Sequence, residues 1–131
     1  MKIKVDFKGK KQVTAHFGNF DITTDQPVVA GGEELAPTPF ELFLSSLATC
    51  AGIFVREFCI GRSLPTENVY LEQEMEFNKE IKKISKIAIH IFIPQDFPEK
   101  YDLAIINSAS LCLVKRHLTP DIHFDIDIVR H

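Results

Sequence analysis

From Leu42 to Val55 this 131-residue chain carries no charged side chain. The stretch follows Thr38-Pro39-Phe40-Glu41, which joins an N-cap residue, a proline at the first helical position and a glutamate three residues after the cap. The pattern predicts a helix from Pro39 to about Ile60, with Gly61 as a left-handed cap. At ~1.5 Å rise per residue such a helix is about 33 Å long. Being apolar nearly all round, it must lie at the centre of the fold and take part of its cover from another subunit.

The flanking segments read mainly as strands. Lys2 to Phe7 alternates, turns at Gly9 and resumes through Val13, Ala15 and Phe17, and Gly18-Asn19 leads into a short strand at Phe20 to Thr23. Thr24 to Ala36, with Pro27, Gly31 and Gly32, reads as an irregular connection. Beyond Pro65, Asn68 to Phe77 and Ile84 to Ile93 form a hairpin around a charged turn, with Ile87, Ile89, Ile91 and Ile93 on one face. Pro98 opens a helical pattern through Leu103, Ile106 and Ala109 towards Cys112. Leu113 to Leu118 forms a further short helix ended by Pro120, and Ile122 to Ile128 is a last strand. The expected class is α+β, in the order βββ-α-ββ-α-β, as one domain over residues 1–131.

Composition narrows the function. A hydrophobic content of 45% fits a compact domain that buries a core. A net charge of −3 and a pI near 5.9 give no basic footprint, which disfavours a nucleic-acid partner. No uninterrupted apolar run reaches the ~18 residues of a membrane span, and the first residues lack a signal-peptide core. A cytoplasmic protein with no membrane association is expected. Cys50, Cys59 and Cys112 are odd in number and lack CxxC spacing, which disfavours a disulfide framework or zinc ribbon and leaves redox or nucleophilic chemistry open. His16, His90, His117, His123 and His131 lie on separate predicted elements without HxH or HExxH spacing, so neither a metal nor another cofactor is expected.

Two segments carry a family resemblance. Pro37-Thr38-Pro39-Phe40-Glu41-Leu42-Phe43-Leu44-Ser45-Ser46-Leu47-Ala48-Thr49-Cys50 resembles the proline-glutamate-leucine helix start and buried helical cysteine of the OsmC/Ohr family. Ser110-Leu111-Cys112-Leu113-Val114-Lys115-Arg116-His117-Leu118, followed by a final strand, resembles the context of the second family cysteine. The resemblance spans essentially the whole chain. It implies an intertwined homodimer whose antiparallel sheets wrap two central helices. It also implies thiol-dependent reduction of organic hydroperoxides in the response to oxidative stress. Cys50 would be the peroxidatic thiol, oxidised to a sulfenic acid, and Cys112 the resolving thiol, with the resulting disulfide reduced by a dithiol.

That chemistry needs an ionised thiol and an apolar approach for the peroxide. Leu47, Ala51, Phe54 and Phe40 surround Cys50 in the sequence pattern, and Phe40, Leu47 and Phe54 are the expected pocket lining. The same residues would serve equally as helix core. An apolar setting by itself raises a thiol pKa, so a compensating cation is expected. The hydroperoxide-resistance branch uses an arginine from the N-terminal strands and a glutamate ten residues before the cysteine. Here no arginine precedes Arg56 and the tenth position is Phe40, so the resemblance is to the less characterised OsmC-like branch. Candidate activating groups are His16, which falls roughly where the arginine strand should be, Arg56, Lys115 and Arg116.

Glu41 stands nine residues before Cys50, about 180° round a helix at ~100° per residue, and reads as a cap. Cys59, nine residues after Cys50, is likewise about 180° round from it and reads as structural. Core packing is the plain alternative for Cys112, which is followed by Leu113 rather than the proline common after the second family cysteine. Two other functions stay open: a non-enzymatic binding or redox-sensing protein for an apolar, lipid-like ligand, and a carrier holding a transferable sulfur on Cys50.

Overall fold

The alternating N-terminus folds as a three-stranded antiparallel sheet, β1 (Lys4–Lys8), β2 (Gln12–Phe17) and β3 (Phe20–Thr24), in that spatial order. The structure, a computed structural model, describes residues 1–118 and 122–131. Gly9 and Gly18 enter the two hairpin loops at φ of 55° and 57°, a region open to glycine at no steric cost.

The connection after β3 is irregular, as expected, but it is ordered by one side chain. Asp25 is fully buried and accepts the N–H groups of Gln26 at 2.8 Å and of Glu33 and Leu35 at 3.2 Å each. Its own N–H reaches the Pro37 carbonyl at 3.2 Å. Within this loop Gly32 leaves no room for a side chain, since a Cβ would stand 1.9 Å from the Gln26 carbonyl oxygen.

Helix α1 (Pro39–Ile60) has the predicted span. Its capping box is closed in both directions, with Thr38 N–H donating to Glu41 Oε2 at 2.7 Å and Glu41 N–H to Thr38 Oγ1 at 3.3 Å. The C-terminus differs from expectation. Gly61 still donates to the Glu57 carbonyl as a helical residue, and the left-handed residue is Ser63, at φ 53°. Ser63 N–H bonds the Ile60 carbonyl and Leu64 N–H the Cys59 carbonyl, the paired bonds of a Schellman motif. The reversal falls two residues late because the helical hydrogen bonds continue through Gly61. Leu47, Ala51, Val55, Phe58 and Cys59 are buried, whereas Ile53 remains 62% exposed. By length and hydropathy alone α1 could cross a membrane, although its uncharged run ends at Arg56.

The contact pattern divides the chain into two compact units, Met1–Ser45 and Ser46–His131. In the second, β4 (Tyr70–Asn78) and β5 (Lys83–Ile93) form the predicted hairpin. Its turn is held by Asn78 Oδ1, which accepts the N–H groups of Glu80 and Ile81 at 2.9 and 3.2 Å. Ile87, Ile89, Ile91 and Ile93 all face the core. A single turn of 3₁₀ helix at Glu99–Tyr101 leads into α2 (Asp102–Ala109), followed by the one-turn α3 (Leu113–Arg116) and β6 (His123–Arg130). The predicted stop at Pro120 lies outside the described residues.

Strand β6 pairs with β5 in parallel, so this sheet is mixed rather than wholly antiparallel as expected. The physical reason is the connection: β5 reaches β6 only after α2 and α3, a crossover long enough to bring the chain back in the same direction. The architecture is α+β, with two three-stranded sheets and three helices.

Candidate functional site

Two elements bring Cys50 and Cys112 together. Cys50 projects half-buried from α1, one turn after the fully buried Leu47. Cys112 is buried and is the N-cap of α3, where its sulfur accepts the Lys115 N–H at 3.4 Å. Its thiol also reaches the Leu47 carbonyl at 3.9 Å, which ties the first turn of α3 to α1. Cys50 and Cys112 lie close enough for each to act on the other's ionisation, and both thiols are free.

The two sulfurs are electrostatically unequal. Burial of Cys50 opposes its ionisation, but the Val114 N–H, the Cys112 thiol and the Leu113 N–H together outweigh it and hold Cys50 below the ordinary cysteine range. Cys112 is pushed up, first by its own burial and then by hydrogen bonding to Cys50 and by the charge there, against the Lys115 and Val114 N–H groups. In this pair Cys50 ionises first. Cys59 is fully buried and raised by that burial, with Arg62 opposing. It contributes to the core of the second unit.

Each of the candidate cations has its own surroundings. His16 is engaged within its own sheet, Nδ1 with Asp21 at 2.6 Å and Nε2 with Asp6 at 2.9 Å, and these two carboxylates raise its pKa. Lys115 Nζ sits 5.0 Å from the Phe124 ring centroid, and Arg116 is exposed in the last turn of α3. Arg56 lines a cleft of about 240 Å³ with Gly52, Val55, Thr66, Val69 and Leu71. Arg56, Lys115 and Arg116 are absent from the groups that shift Cys50. What the sequence reading missed is the pair of backbone amides at Leu113 and Val114. Amides carry no residue signature, and the one available signal was a cysteine standing directly before a short helical run.

Of the expected pocket residues, Leu47 is in the core, while Phe54 is half-buried and its carbonyl accepts the Ser108 hydroxyl at 3.0 Å. Phe40 is 54% exposed and stacks on Phe43, with ring centroids 5.9 Å apart. A second cleft, of about 260 Å³, lies on the β4–β5–β6 sheet over Ala88, walled by Glu74, Glu76, Lys86, His90, Asp125 and Asp127. Leu47 and Phe54 line neither of these clefts. Among the described residues no group of His, Cys, Asp and Glu has an arrangement that could hold a metal ion.

Residues 31–127 match the family model described as OsmC-like protein. No curated protein sequence matches. Among solved structures, the chain is similar to a candidate osmotic stress induced and detoxification response protein of Psychrobacter arcticus 273-4. The two share 25% identity and a TM-score of 0.80 over 98% of this chain and 96% of that one. An OsmC-like protein of Mycoplasma pneumoniae superposes with a TM-score of 0.76 at 15% identity, covering 98% and 95% of the two chains. An organic hydroperoxide resistance protein OsmC of Legionella pneumophila gives 0.66 at 18%, covering 97% and 94%.

Proposed function

The chain belongs to the OsmC-like protein family, and from that premise we propose that it reduces organic hydroperoxides through Cys50, with Cys112 as the resolving thiol. The observation that carries this reading is the unequal thiol pair, in which Cys50 is half-exposed and the easier to ionise and Cys112 is buried beside it. The Cys50 thiolate attacks one oxygen of the O–O bond, which breaks. The leaving alkoxide takes a proton to become the alcohol, and Cys50 is left as a sulfenic acid. The Cys112 sulfur then displaces hydroxide from the sulfenic sulfur, releasing water and forming the Cys50–Cys112 disulfide. An external dithiol, itself oxidised to a disulfide, restores both thiols. The Legionella pneumophila protein of the same fold bears the name of hydroperoxide resistance, which agrees with this substrate class.

The test is stopped-flow consumption of cumene hydroperoxide with dithiothreitol as reductant. We expect turnover by the unaltered chain and none above background in Cys50→Ser. Equal rates for the two would remove the peroxidase reading. With no dithiol present, Cys112→Ser should consume about one peroxide per chain and stop at the sulfenic acid, whereas the unaltered chain should stop at the Cys50–Cys112 disulfide. The working form is taken as a homodimer, since α1 leaves the large apolar side chains of Ile53 and Ile60 62% and 53% exposed, and exposed apolar groups on an otherwise buried-type helix suit cover by a second copy.

A further inference from the structure

His16 stands on β2, the middle strand of the N-terminal sheet, and has both ring nitrogens engaged. Nδ1 lies 2.6 Å from Asp21 Oδ1 on β3, and Nε2 lies 2.9 Å from Asp6 Oδ2 on β1. An ionised carboxylate only accepts, so each nitrogen has to donate, and only the charged imidazolium carries two N–H groups. A neutral ring would set a lone pair against one of the two carboxylates. His90, on the middle strand of the other sheet, is differently placed. Its Nδ1 lies 2.5 Å from Asp127, but Glu74 is 3.9 Å from Nε2, beyond hydrogen-bond reach, so a neutral ring satisfies that site.

The two carboxylates around His16 are unequal. Asp21 makes the shorter bond, whereas Asp6 Oδ1 is shut off from water and has no partner among the described residues. If the ring loses a proton and keeps the shorter bond, neither oxygen of the half-buried Asp6 is bonded, and such a group is driven towards water. We propose that His16 is a proton-operated latch on the N-terminal sheet: charged, it ties edge strand β1 to β2 through Asp6, and on giving its Nε2 proton to solvent it lets β1 go. Lys4 stands opposite His16 on β1 and opposes its charge, but Lys4 is exposed and screened by water. Lys8 shares that face beyond Asp6, and among the described residues no charged group other than Asp6 and Asp21 bonds His16. Because Asp21 and then Asp6 raise the His16 pKa, the latch is fully closed below the ordinary value, ~6.5, and opens as pH rises through the raised folded value.

The experiment titrates the isotope-labelled full chain by NMR. The ring-nitrogen shifts of His16 are read beside the hydrogen-exchange protection of the β1 amides, corrected for the intrinsic effect of pH. The His16 midpoint should lie above ~6.5, with both ring nitrogens protonated below it. Protection of β1 should fall by about threefold or more across that midpoint, while β3 changes less. In Asp6→Asn the side-chain amide can donate to a neutral Nε2, so β1 protection should stay level and the midpoint should drop. Level β1 protection through the His16 midpoint of the unaltered chain overturns the proposal. A fall of the same size in Asp6→Asn also overturns it, since the loosening would then be general. If Asp6→Asn does not fold, Asp21→Asn decides in its place: the neutral ring then keeps its Nε2–H on Asp6, and β1 protection should again stay level.

Discussion

Cys50 and Asp25 solve related problems with the same material. Each is an acidic side chain taken from water, and each is held on the side of its charged form by backbone N–H groups rather than by a lysine or arginine. For Asp25 the Gln26 N–H is the largest influence; burial opposes it, and the Leu35 and Glu33 amides and the Gln12 side chain assist. A carboxylate with a lowered folded-state pKa contributes stability that is fully present above its unfolded value, ~3.9, and is lost as pH falls through the folded value. Urea midpoints measured from pH 7 down to pH 3 should therefore drop more steeply for the unaltered chain than for Asp25→Asn. Asp25→Asn should also be the less stable of the two at pH 7, since an amide nitrogen replaces one acceptor oxygen of the loop. Parallel curves with equal midpoints would show that the carboxylate does not order residues 25–37. Neither role is written in the local sequence: Asp25 is one polar residue in an irregular connection, and Leu113 and Val114 are distant in sequence from Cys50.

At the level of elements, α1 shows how far local signals reach. Its start was readable because a capping box is written within four residues, and its length because the apolar run has no interruption. Thr38→Ala should cost about 1 kcal/mol in chemical denaturation, the usual loss for an N-cap. Its left-handed cap was misread because a glycine near the end of an apolar run is an ambiguous signal. The left-handed position is held by Ser63 instead, and an L-residue pays about 1–2 kcal/mol there. Ser63→Gly should then raise stability by about 1 kcal/mol, less some gain in unfolded-chain entropy. Gly61→Ala, at a helical position, should not destabilise the chain. If Ser63→Gly lowers the denaturation midpoint, the Schellman assignment is wrong. The isoleucine face of β5 was equally legible, since period-two alternation needs no distant information. The direction of β6 was not, because the same alternation serves a parallel or an antiparallel neighbour.

For the whole molecule, the uncharged run of α1 from Leu42 to Val55 predicts cover that one chain does not provide. Ile53→Glu should convert a dimer into monomers of lower stability, measured by light scattering on size-exclusion fractions. A monomeric unaltered protein would refute the association. The expectation of one folding domain over residues 1–131 predicts a single cooperative denaturant transition, coincident by circular dichroism and fluorescence; two separate transitions would refute it. What the sequence by itself determined is everything encoded at short range: the span and start of α1, the hairpins, the buried face of β5 and the two cysteine contexts. Only the tertiary structure decided that Cys112 caps α3, that β6 runs parallel to β5, and that Asp25 gathers its own loop. Those outcomes depend on which backbone groups a folded chain brings together, and a backbone N–H is the same at every residue but proline until the fold aims it.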